Sequence, residues 1–202
     1  MTPSESRWIC LKESPIFETA VMNLVQQDCR SSDSGREHRF YLLRSPDWCN
    51  IIPVTEEGKV VLVRQFRIGI NAHTLEVPGG TVDAEDGEDF QAAALREMEE
   101  ETGYSPLPGA KLVKLGWVHP NPAILDNKTH LFAVGPVRRT QAQNLDPGEM
   151  IETVEIPLEE LPTLIENETI THALTLNSLF RLVLATPEGS AGLSRALKGF
   201  TG

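Results

Sequence analysis

Three glutamates one turn apart, Glu97, Glu100 and Glu101, stand at the end of the segment Arg96-Glu97-Met98-Glu99-Glu100-Glu101-Thr102-Gly103. At about 100° per residue, Phe90, Ala94, Glu97, Met98 and Glu101 fall on one stripe of a helix, with Glu100 at its edge. The stripe begins apolar, as a core-facing stripe should, and ends in carboxylates. Like charges three and four residues apart each cost a helix a few tenths of a kcal/mol, on the order of 0.2–0.5. Acids in the last turn also oppose the helix dipole by roughly 0.3–1 kcal/mol apiece. A solvated acidic face accounts for many such clusters, but here the acids continue the apolar stripe and no lysine follows four residues on. A divalent cation would remove both costs. Mg²⁺ accepts one or two carboxylates and keeps its remaining positions for water and phosphate oxygens. Glu97 and Glu101 could grip one ion, with Glu100 reaching a second; Mn²⁺ would serve the same oxygen donors.

The element that must position them starts after the glycine-rich run Gly79-Gly80-Thr81-Val82. Asp86 reads as the helix N-cap and Gly103 as its stop. Upstream, the apolar runs at residues 48–55 and 60–67 flank Glu56-Glu57-Gly58-Lys59 and predict a hairpin. Downstream, residues 111–118 and 128–134 read as strands joined by the proline-rich His119-Pro120-Asn121-Pro122-Ala123 loop. A polar, mobile stretch is expected over residues 138–147, a strand over 149–157, and helices opening at 158 and 172. His172 reads as a structural histidine. The first 46 residues form a separate small β element, with predicted strands at 8–12, 16–22 and 40–43 and a loop at 30–38. Three short strands bury too little to stand alone, so this sheet needs a partner surface. Strands, one long helix and a C-terminal helix together imply an α+β fold.

The signature of the Nudix hydrolases is Gly, five residues, Glu, seven residues, then Arg-Glu-apolar-x-Glu-Glu-x-Gly-apolar. Glu88, seven residues, and Arg96 to Tyr104 match its second part throughout. Gly80 lies eight positions before Glu88 where the family has six, so the loop carries two extra residues between Val82 and Asp86. The run Arg64-Gln65-Phe66-Arg67, followed by Leu75-Glu76-Val77-Pro78-Gly79-Gly80, resembles the branch acting on ADP-ribose and nucleotide sugars. The resemblance covers roughly residues 48 to 165 and implies an α/β/α sandwich with a mixed sheet, preceded by the N-terminal antiparallel β element. It divides the chain into residues 1–46, for dimerisation and the base pocket, and a hydrolase domain at 47–202. By the same resemblance Glu97, Glu100, Glu101 and a carbonyl near Gly79 hold metal, Arg67 binds the substrate's diphosphate, and Glu76 lines the same substrate pocket. Glu100 and Glu149 are the catalytic candidates, Glu149 as the acceptor of a proton from the attacking water. Arg96 would pair with Glu88 and fix the helix. A proline sixteen positions after the signature marks ADP-ribose hydrolysis, with Pro120 or Pro122 as its counterpart, although the loop reads Asn-Pro-Ala where the family has Ser-Pro-Gly.

The expected reaction is metal-dependent cleavage of a nucleoside diphosphate joined to a second moiety. ADP-ribose and nucleotide sugars lead, with dinucleoside polyphosphates behind. A module that binds nucleotides without hydrolysing them is the rival of another class, and it usually breaks the acidic triplet that this chain keeps. A net charge of −11 on 202 residues argues against a nucleic acid polymer as partner. Absence of a run near 18 apolar residues argues against a membrane span. Three cysteines without a CxxC read as free thiols in a reducing, cytoplasmic compartment, and the family branch implies a homodimer.

Overall fold

The computed structural model describes residues 7–82, 89–189 and 191. Its backbone divides into two compact units, residues 1–46 with 119–128, and residues 47–118 with 129–202.

The first unit is a three-stranded antiparallel sheet in the order β1 (Trp8–Glu18), β2 (Asn23–Ser31), β3 (Glu37–Arg44). The sequence placed a strand at 16–22, but the chain reverses there. Thr19 Oγ accepts the amides of Val21 and Met22, at 3.2 and 2.9 Å, and closes the turn. The strand that sequence patterning missed, β2, carries Gln26, Gln27 and Asp28 and so has no apolar alternation to betray it. The predicted loop at 30–38 shrinks to a tight turn with Gly35 at φ +67°. Within this unit Leu43 N–H donates to Ile124 O at 2.7 Å, and Arg44 pairs with Asp126, which seats the loop carrying Pro120 and Pro122. Cys10 and Cys29 sit opposite each other across β1 and β2, both as thiols.

The second unit is a seven-stranded mixed sheet between helices. The strand path is β10 (Ile151–Pro157), β5 (Lys59–Arg67), β4 (Trp48–Thr55), β9 (Thr129–Arg139), β8 (Tyr104–Val118). Two short strands join it, β6 (Ala72–Glu76) on β5 and β7 (Gly79–Thr81) on β4. β4 and β9 run parallel and the remaining pairs antiparallel. Strand alternation sends side chains to two separate cores. Cys49, Ile51, Val61, Phe132 and Val134 meet α1 (Phe90–Thr102) on one face. Ile52, Val60, Leu62, Leu131 and Ala133 meet α2 (Leu161–Glu166) and α3 (Ala173–Leu184) on the other. Burying each of these side chains is worth roughly 1.5–3 kcal/mol, which fixes the sheet between its helices. The expected hairpin is β4–β5, with Gly58 at φ +75° in its turn. β8 begins at Tyr104, seven residues before the expected strand, and takes up Pro106 and Pro108 through a register shift between Pro106 and Lys111. Among the described residues no helix is long and apolar enough to cross a membrane.

Candidate active site

Helix α1 is held at both ends. Asp89 is its N-cap, and its carboxylate accepts the amides of Gln91 and Ala92 at 2.8 and 2.7 Å. The expected cap, Asp86, lies outside the described residues; the residue directly before the first apolar position takes the role instead. Gly103 ends the helix at φ +74°, its amide donating to Glu99 O at 2.9 Å. The carbonyls left over at this end do not face water. Asn144 N–H donates to Glu100 O at 2.8 Å, Thr140 N–H to Gly103 O at 2.9 Å, and Gln143 Nε2 to Glu101 O. The stretch 138–147, read from sequence as mobile, is thus fastened through Thr140, Gln143 and Asn144 to the C-terminal end of α1. Gln143 and Asn144 are the functional supports that sequence reasoning missed, because a polar run gives no sign of which helix end it will satisfy.

The acidic stripe ends where it was expected to matter. Met98 and Ala94 are fully buried, and Glu101 continues their face at 4 % exposure. Glu101 Oε2 accepts the Gly79 amide at 2.9 Å. Burial pushes the Glu101 carboxyl up to about 8; the Gly79 amide opposes this, and Glu97 and Glu149 add to it by repulsion. Burial likewise pushes Glu97 up to about 6, against the pull of Arg96 beside it at 3.1 Å. Glu100 lies 2.7 Å from Arg96, an i,i+4 pair. Glu88, the other expected partner of Arg96, lies outside the described residues. Gly80 owes its identity to Glu97, since a Cβ there would stand 2.5–2.6 Å from the Glu97 carboxylate. A Cβ on Gly79 would meet Cys49 O at 2.1 Å, so β7 approaches β4 this closely because Gly79 has no side chain.

Glu97, Glu100, Glu101 and Glu149 line one cavity of about 390 Å³ with Arg67 and Arg96. Glu149 is placed by a turn in which its carboxylate accepts the Asp146 amide at 3.0 Å, just before β10. Arg67 and Glu76 come together as a bidentate pair, Nε to Oε1 and Nη2 to Oε2, both at 2.7 Å. Glu76 is 2 % exposed, and Thr74 also donates to it. Burial alone would raise the Glu76 carboxyl; the hydrogen bonds from Arg67 and Thr74 outweigh it and hold it below its ordinary value. Glu76 is therefore the group that aims Arg67, with its own oxygens turned to protein donors.

All the sequence-selected acids of α1, together with Glu149, Arg67 and Gly79, thus meet at one end of one helix. The donor set is hard oxygen, which suits Mg²⁺ or Mn²⁺. Among the described residues no three acidic, histidine or cysteine side chains form a ready-made cage. Mg²⁺ needs none, because water and substrate phosphates complete its shell. Carboxyls pushed up by burial and by one another are groups whose charge a cation would satisfy.

A family model described as the NUDIX domain matches residues 46–177, about two thirds of the chain. The chain belongs to the Nudix hydrolase family. An ADP-ribose pyrophosphatase of Bacillus subtilis is 30% identical over 175 residues, spanning 86% of this chain and 91% of that protein. A methanol dehydrogenase activator of Bacillus methanolicus is 31% identical over 167 residues, spanning 82% and 87%. A solved structure titled as an ADP compounds hydrolase superposes with a TM-score of 0.75 at 21% identity, covering 87% of this chain and 92% of its own, and this likeness speaks to the Nudix fold. The signature helix of this Nudix protein is α1, and of the loop expected to carry two extra residues, 82–86, all but Val82 lies outside the described residues.

Proposed function

We propose that this Nudix hydrolase cleaves the pyrophosphate bond of a nucleoside diphosphate linked to a second moiety, ADP-ribose or a nucleotide sugar, with Mg²⁺ (or Mn²⁺) as cofactor. The observation that carries this is the convergence of Glu97, Glu100, Glu101 and Glu149 on one cavity, with the two most buried acids pushed up to about 6 and about 8. The Bacillus relative named for ADP-ribose supports the substrate class. Glu97, Glu101, Glu100 and the backbone at Gly79 would hold the cation. Bound there, a divalent ion supplies Lewis acidity to the pyrophosphate and to the attacking water. Arg67, aimed by Glu76, holds phosphate oxygens with its exposed edge. Glu149 accepts the proton as the water oxygen bonds to phosphorus and the bridging P–O bond breaks. Products are a nucleoside monophosphate and a sugar phosphate, AMP and ribose 5-phosphate from ADP-ribose. Arg96 serves as support, spanning Glu97 and Glu100 from the same helix.

The N-terminal element of residues 1–46 is proposed as the dimerisation module. Trp8, Ile9, Leu11, Ile16 and Phe17 all lie exposed along β1, apolar surface that a second copy would cover in part. Free thiols at Cys10, Cys29 and Cys49 accord with the cytoplasm. A role as a nucleotide-binding or activating module is the second reading, favoured by the relative named as a dehydrogenase activator. One experiment separates them: incubation with Mg²⁺ or Mn²⁺ and, in parallel, ADP-ribose, ADP-glucose, GDP-mannose and diadenosine polyphosphates, followed by chromatography. Nucleoside monophosphate from one of the first three is the expected result. No product from any of them would reject the hydrolase reading in favour of the binding one.

A further inference from the structure

A second cavity, of about 310 Å³, shares Arg67, Gly79, Gly80 and Thr81 with the acidic one. A diphosphate held by Arg67 would carry its attached group into this space. The walls differ in kind from those of the acidic cavity, since Trp48, Val77 and Leu174 are apolar. His172 stands among them, at the N-terminus of α3.

The state of His172 follows from its neighbours. Its Nδ1 lies 3.0 Å from Glu76 Oε2 and 3.1 Å from Thr175 Oγ1, and Thr175 Oγ1 already accepts the Val77 amide at 3.1 Å. A lone pair on Nδ1 would face the Glu76 carboxylate at contact distance and be repelled, so Nδ1 carries the proton. Burial lowers the histidine's affinity for a second proton, more than Glu76 restores it. The ring is therefore neutral near neutral pH, and Nε2 keeps its lone pair. Glu76 and Thr175 are both buried, whereas a quarter of the His172 side chain is exposed. The accessible edge is the one that bears Nε2.

We propose that His172 Nε2 is the acceptor through which this cavity recognises an O–H or N–H donor on the ring-bearing group attached to the substrate diphosphate. This rests on the hydrolase reading for the identity of the ligand. The role is one of specificity. His172 ties the same carboxylate that aims Arg67, so one residue touches both the pendant group and the phosphate clamp. A sugar hydroxyl and a base amino group share the required chemistry.

The test is ¹⁵N imidazole spectroscopy of the intact protein with Mg²⁺ and the α,β-methylene analogue of ADP-ribose, whose P–C–P bridge resists hydrolysis. A change at His172 Nε2 with Nδ1 still protonated is expected. Separate titrations with ribose 5-phosphate and AMP then name the sugar or the base as the donor. Perturbation of other groups with His172 unmoved would overturn the assignment and leave the hydrolase reading intact. No perturbation anywhere, with no turnover by the wild type, would remove both. Kinetics give a second readout. His172→Asn keeps a donor near the Nδ1 position, lacks Nε2, and suits a helix N-cap, so the fold is retained. It should raise KM for ADP-ribose roughly tenfold, as for one lost hydrogen bond, with kcat falling by less than about threefold. His172→Gln, which loses the Nδ1 contact with Glu76, should lower kcat as well. Equal effects of the two variants on kcat and KM would refute the division of labour between the two nitrogens.

Discussion

Replacing Glu101 by glutamine should stabilise the metal-free protein at high pH while abolishing turnover. The wild-type carboxyl has a folded-state pKa of about 8 against an ordinary value of 4.5, because it is buried beside Glu97 and Glu149. Between those values the native state binds more protons than the unfolded state, so stability falls as pH rises. At about 1.36 kcal/mol per pH unit, the span from 4.5 to about 8 sets a ceiling near 5 kcal/mol. The cavity on one side of Glu101 admits water and reduces this, so roughly 2–3 kcal/mol is expected once the group is fully ionised. Glutamine carries no charge and its carbonyl oxygen can still accept the Gly79 amide. For a chain of this size, each kcal/mol moves Tm by about 2–4 °C. Melting wild type and variant in a chelator should therefore give near-equal Tm at about pH 5 and a variant ahead by about 4–12 °C at about pH 9. Added Mg²⁺ should raise the wild-type Tm and leave that of the variant almost unchanged, by mass action on the native state alone. A variant no more stable than wild type at high pH would refute the buried-charge argument. Unimpaired turnover would remove Glu101 from the metal site.

Asp89→Ala should cost about 1 kcal/mol, a loss of roughly 2–4 °C in Tm, because the Gln91 and Ala92 amides lose their acceptor. Arg67→Ala leaves Glu76 buried with only Thr74 and His172. About 2–3 kcal/mol should be lost by urea denaturation, below the full buried-pair range because Arg67 is half-exposed, and Arg67→Ala/Glu76→Gln should recover most of it. Gly80→Ala should lower kcat at least about tenfold, by displacing Glu97, whose carboxylate end can move aside. Stability should change by under about 1 kcal/mol, and loss of the fold would count against the assignment.

The placement of the acidic cluster was more legible than the frame around it. Glu97, Glu101 and Met98 share a stripe because helix periodicity is local, and one window of sequence contains it all. The apolar runs at β4, β5 and β9 were readable as strands, while a sheet covered on both faces followed only from the family resemblance. β2 was not, because its polar residues are set by pairing with β1 and β3, not by burial. The bond from Gln143 to the end of α1 was hidden for the same reason: it depends on which carbonyls the fold leaves over. His172 reads as structural from sequence, and its Nδ1 edge is indeed fixed inside the protein. Only the structure shows that the residue also lines a cavity.

The pairing of Arg67 with Glu76 also bears on how charge would enter the proposed reaction. Among the described residues the acidic cavity is walled by five carboxylates, Glu97, Glu100, Glu101, Asp146 and Glu149, against two guanidinium groups. Neither guanidinium is uncommitted, since Arg67 is bound to buried Glu76 and Arg96 to Glu97 and Glu100. A diphosphate approaching this surface would meet net negative charge. Protonation of Glu101 relieves the repulsion only in part, and only below its own pKa. On the proposed mechanism the positive charge that seats the substrate would arrive with the cation, which would displace those protons and recruit the acids that otherwise repel phosphate. On the proposed mechanism, affinity for the substrate and affinity for the metal would be one property of Glu97, Glu100 and Glu101.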